Sequence, residues 1–103
     1  MDAADQLRRL HNAGFELQTF DRYPRHVGAL RDHCIALLEV TPTGLRLTGT
    51  PGWQMGELMG VLVQKAGRQV FQAKAEILEA TPEMLEALRG FREDLGNVLA
   101  SVA

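Results

Sequence analysis

The chain has 103 residues, 46% of them apolar and 23% charged, and a formal net charge of −2. That length holds one domain spanning residues 1–103, and the ordinary apolar content excludes a disordered chain. The slight acidity argues against a general nucleic-acid binder. A single cysteine, Cys34, cannot form an internal disulfide, and the charged start "MDAADQLRRL" does not read as a secretory signal. No apolar run approaches the roughly 18 residues of a membrane span. The expectation is a small soluble cytoplasmic domain.

Taken in chain order, residues 2–13 predict a short helix. Asp2 is placed to cap it, Leu7 and Leu10 share a face, and Gly14 stands where a helix ends. "FELQTF" (15–20) alternates weakly and predicts a strand. "DRYPRHVGALRDH" (21–33) carries Pro24, Gly28 and many charges, and reads as a loop with at most one helical turn. "CIALLEV" (34–40) reads as a core strand, "TPTG" (41–44) as a turn, and "LRLTG" (45–49) as the returning strand of a hairpin.

Trp53, the only tryptophan, then falls in what reads as a glycine-rich loop, with Met55 and Met59 close by. Residues 58–78 allow a helix by spacing. Gly60 and Gly67 disfavour one, Ala66-Gly67 reads as a turn between β-branched runs, and a second hairpin is the reading adopted. The last element is a long helix: Thr81 caps it, Pro82 takes its first position, Glu83 lies in its first turn. Met84, Leu88, Phe91, Leu95, Val98 and Val102 form its apolar stripe, and Gly96 is a place where it could end. The expected fold is therefore α+β. An antiparallel sheet of four to five strands, built from two hairpins, is packed by one long C-terminal helix and accompanied by a short N-terminal one.

Candidate chemistry gathers in residues 21–34. His26, His33 and Cys34 offer three metal-ligand types, but adjacent residues of a strand point to opposite faces, so no metal site is expected. Cys34 opens an apolar strand, where cysteine behaves as a small hydrophobe, not as a nucleophile. Arg22, Arg25 and Arg31 with Tyr23 could grip an anion or a stacked base, although Asp21 and Asp32 are at hand to pair with them. Gly49, Gly52, Gly56 and Gly60 match neither a phosphate loop nor a dinucleotide fingerprint. No cofactor is implied.

Trp53 with Met55 and Met59 is either a cover over one end of the core or an adaptable contact patch. With no complete catalytic constellation, the expected function is a small non-catalytic interaction module or accessory subunit. Its partner would be another protein, and a homodimer through a sheet edge or the helix tail is a further option. The alternative is a small-ligand-binding domain or enzyme that uses His26, Arg31, His33 and Cys34, which requires those side chains to converge. A nucleic-acid binder ranks last.

Overall fold

The computed structural model describes residues 3–21, 23–56 and 58–100. In chain order they form α1 (Ala3–Asn12), β1 (Glu16–Phe20), β2 (Tyr23–Arg31), β3 (Cys34–Thr41), β4 (Gly44–Met55), β5 (Leu58–Lys65), β6 (Arg68–Ala73), β7 (Glu76–Glu79) and α2 (Pro82–Ala100). Asp2 and Val102, assigned above to a cap and a stripe, lie outside the described residues, as does Arg22. The strands follow one another across a single antiparallel sheet in the order β1 to β7. The fold is α+β as expected, but the sheet has seven strands, not four to five, and is a continuous meander.

One extra strand, β2, comes from a segment read as a loop, and the other, β7, from a break in a segment read as one strand. Residues 23–31 are strand β2. Pro24 sits at its start, where a missing N–H is tolerated. Gly28 is covered by the Phe20 ring, which would stand 2.9 Å from an added Cβ. The turn into β3 is the two residues Asp32 and His33, both at positive φ (51° and 68°), between the paired Arg31 and Cys34. That is the pattern of a tight hairpin whose twist matches its strands.

The Trp53 loop is likewise a strand. β4 pairs with β3 from Gly44 to Thr48 and again at Gly52 and Trp53, and residues 49–51 form a bulge between the two stretches. Gly49 supplies a φ of 68° there, and Pro51 is accommodated because a bulged residue needs no ladder donor. The second arm of the expected 58–78 hairpin breaks at Lys74 and Ala75, which turn the chain from β6 into β7. The Ala66-Gly67 turn stands as read.

Helix ends match their residues closely. The Phe15 N–H donates to the Leu10 carbonyl (3.0 Å) and the Gly14 N–H to that of His11 (3.1 Å), with Gly14 at φ 93°. This pair of bonds closes a helix over a left-handed residue and brings Leu10 against Phe15. Thr81 Oγ1 accepts the Met84 N–H at 3.2 Å, as a cap should. Gly96 does not stop α2, which continues to Ala100. Its Cβ would meet open space, so glycine there costs propensity without breaking the helix.

Both helices lie on one side of the sheet. Ala29, Cys34, Ala36, Leu38 and Phe71 share a face by register and form one core with Leu10, Phe15, Leu88, Phe91 and Leu95. Phe15 meets Phe91 edge-on at 5.4 Å, and buried Gln6 accepts the Leu45 N–H at 2.6 Å to tie α1 to β4. The opposite face has no helix over it.

Candidate functional site

The polar cluster suggested by residues 21–34 is pulled apart by β2. Tyr23, Arg25 and His26 stand at its start, and the Tyr23 and His26 rings meet edge-on at 6.0 Å. Arg31 lies five residues further along, about 17 Å away at roughly 3.3 Å per strand residue. His26 therefore does not converge with Arg31, His33 and Cys34.

At that far end each candidate already has a partner. The Arg31 guanidinium sits 4.7 Å from the Phe15 ring centre and 2.7 Å from the Asp94 carboxylate, clamping β2 to α2. Cys34 is fully buried in the core, and its Sγ–H points to the Asp32 carbonyl at 3.8 Å. Burial, reinforced by the Asp32 charge, pushes its thiol up to about 11, so it is protonated and unreactive near neutral pH. Among the described residues no three His, Cys, Asp or Glu side chains come together as metal ligands would.

Trp53 lies in a strand, not a loop, and its ring packs onto the core. The His33 ring stacks on it at 5.7 Å with an interplanar angle of 10°, and Trp53 in turn stacks on Phe71 at 5.6 Å and 26°. Gly60, directly opposite Trp53, has no side chain to separate the Trp53 and Phe71 rings. An added Cβ would also strike Met55 Sδ. Trp53 and Met55 are thus half-buried against the helix-side core. Met59, paired with Gln54, belongs to the other face, where its Cε lies beside Gly52. The three residues do not form one patch.

The uncovered face carries two hollows, and Trp53, Met55 and Met59 line neither. One, of about 320 Å³, is lined by Gln18, Phe20, Ile35, Gln54, Gly56 and Leu58. Another, of about 350 Å³, is lined by Glu16, Leu30, Arg31, Asp32, His33 and Gln54. They meet at Gln54. Their lining is mixed: Phe20, Leu30, Ile35 and Leu58 are apolar, the amides of Gln18 and Gln54 offer donors and acceptors, and Glu16 and Asp32 bring negative charge to one rim.

Beyond them the same face continues through Leu37 to Met59, Val61, Val63 and Ile77. Val61 is 48% exposed and Ile77 50%, on either side of Gln72. Phe20, Ile35, Gln54 and Ile77 were not singled out from the sequence as site residues. The available signal was that "VGAL" and "CIALL" are apolar at every position, which marks strands with apolar side chains on both faces.

No protein-family model matches the chain, no curated protein matches it, and no solved structure matches its fold. No helix of the described residues is long and apolar enough to cross a membrane.

Proposed function

We propose that this chain is a small non-catalytic interaction module that binds a protein partner across the uncovered face of its sheet. The observation that carries the reading is the row Val61–Gln72–Ile77, two half-exposed aliphatic side chains astride an amide on the uncovered face. Apolar side chains exposed together on one surface are a feature of contact faces, whereas scattered ones are ordinary. The candidate groups at the far end of β2 are otherwise engaged: Cys34 in the core, Arg31 on Phe15 and Asp94, His33 on Trp53.

A homodimer built on the β7 edge is disfavoured by charge. Symmetric antiparallel pairing of Glu76–Glu79 would set each Glu76 against the Glu79 of a second copy, and like charges directly opposed destabilise a strand pair. A second reading, a small-ligand site, rests on the two hollows that meet at Gln54, with Arg31 and His33 at their border. A ligand there would need an apolar body and a group that pairs with the glutamine amides.

Photo-crosslinking separates the readings. A benzophenone amino acid at Val61 should capture a discrete protein in cells, while the same group at Glu83, on the exposed side of α2, should not. Equal capture from both positions, or none from Val61, would remove the protein-binding face.

A further inference from the structure

The turn between β2 and β3 carries a ring where its backbone favours glycine. Asp32 and His33 both stand at positive φ, 51° and 68°, a region that crowds the Cβ of every residue but glycine. The turn between β5 and β6 has the same two-residue form, with Ala66 at 52° and Gly67 at 79°. Its second position is glycine, as such hairpins prefer. In the β2–β3 turn the second position is His33, and its imidazole lies on the Trp53 ring at 5.7 Å, nearly parallel to it.

Trp53 carries that contact to the far part of the sheet. Strand pairing joins the arm made of β5, β6 and β7 to the first four strands through Trp53–Gly60, Gln54–Met59 and Met55–Leu58. Two more contacts bear on this seam. The Gln54 N–H donates to the His33 carbonyl at 2.7 Å, which fixes the end of β4 to the turn. Trp53 also stacks on Phe71 of β6 at 5.6 Å, and Phe71 is fully buried. The three rings His33, Trp53 and Phe71 thus run from the β2–β3 turn, by way of β4, to the middle strand of the arm.

A strained backbone persists where its surroundings over-determine it. Here the strain and its compensation lie in different places. The unfavourable φ values belong to the hairpin of β2 and β3, whereas the ring they position touches the residue that holds the arm. Opening of the arm would leave the turn as it is and would break the run of rings.

We infer that the Asp32–His33 turn is a latch: His33, held in a left-handed conformation, sets its imidazole on Trp53 and keeps the β5–β7 arm closed on β1–β4. The latch is accessible, since His33 is exposed and borders the hollow of about 350 Å³ together with Gln54. The arm also bears Val61 and Ile77. Under the protein-binding reading above, the latch sets how firmly that row is presented, but it does not rest on that reading.

The test is native-state amide exchange of the full chain and of three single variants. His33→Gly removes the ring, keeps the carbonyl that Gln54 bonds and relaxes the turn. It should accelerate exchange in β5 and β6 by about threefold to tenfold, the range that a lost ring stack gives. Exchange in β2 and β3 should stay as slow as in the parent or become slower. Asp32→Gly relaxes the same turn without touching the stack and should leave the arm unchanged. His33→Tyr restores a flat ring and should hold the arm within about twofold of the parent. Unchanged or slower exchange of the arm in His33→Gly would overturn the latch, as would equal acceleration by Asp32→Gly or by His33→Tyr. Acceleration of β2 and β3 to the same extent as the arm would also overturn it, because the ring would then support the whole fold and not the seam.

Discussion

The two ends of the sheet are made by the same meander and held in different ways. β1 to β4 lie beneath α1 and α2, which cover Val27, Ala29, Cys34, Ala36 and Leu38, and they also keep Leu30 and Ile35 of the other face buried. In β5 to β7 the buried apolar side chains are Val70, Phe71 and Ala73, and β7 is exposed throughout. The halves join where β4 pairs with β5, through Trp53–Gly60, Gln54–Met59 and Met55–Leu58. Continuous hydrogen bonding therefore does not mean uniform stability. Local opening free energies follow buried apolar contacts, so the β5–β7 arm should open well before β2 and β3. Its attachment depends on Phe71, the Trp53 stack and the close approach of two glycines.

Phe71→Ala attacks that attachment most directly. Loss of a fully buried ring that also supports Trp53 should cost about 3–5 kcal/mol in urea unfolding. A cost under about 1 kcal/mol would mean that the arm is held by something else. Gly52→Ala comes next, because its methyl group would run into the Gly60 carbonyl oxygen, a backbone atom with little freedom to retreat. The expected loss is about 1–3 kcal/mol, with amide exchange accelerated in β5–β7 and not in β2–β3. Gly60→Ala should cost less, since the nearest atom it meets is the flexible Met55 thioether.

Arg31→Ala probes the other half and removes the Phe15 and Asp94 contacts together. A loss of about 1 kcal/mol is expected, and it should leave exchange in the arm unchanged. Cys34 comes last because its effect is absent near neutral pH and confined to alkaline solution. Its folded pKa, about 11, lies above the unfolded value of 9.0, so the native state retains a proton that the unfolded state has lost. Its contribution is fully present below about pH 9 and is lost as the pH rises toward 11. Iodoacetamide should label native Cys34 far more slowly at pH 7 than the urea-unfolded chain, and equal rates would contradict its burial.

The sequence disclosed elements whose signals are local. Thr81-Pro82-Glu83 announces α2, Gly14 closes α1, Pro42 marks one turn and Ala66-Gly67 another, and each needs only a few adjacent residues. β2 was hidden because Pro24 and Gly28 read as loop residues. What permits Gly28 in a strand is the Phe20 ring lying across it, a contact set by pairing and not by proximity in sequence. The Asp32-His33 turn lacks the glycine that usually advertises such hairpins. The bulge at residues 49–51 made the second half of β4 look like a loop and left Trp53 stranded there. The candidate surface was legible only as a spare sheet face. That Gln54 borders both hollows, or that Val61 and Ile77 flank Gln72, depends on register across several strands, which alternation alone does not fix.

The measurement that bears most directly on the protein-binding face is the affinity of the Val61→Glu/Ile77→Glu double variant for the protein captured by the Val61 crosslink. Both side chains are half exposed, so thermal stability should stay within about 0.5 kcal/mol of the parent. The expected result is binding weakened at least tenfold, roughly 1.4 kcal/mol or more, with an unchanged melting temperature. Undiminished binding by a stably folded double variant would show that the partner is held elsewhere and that the uncovered face is not the site of recognition.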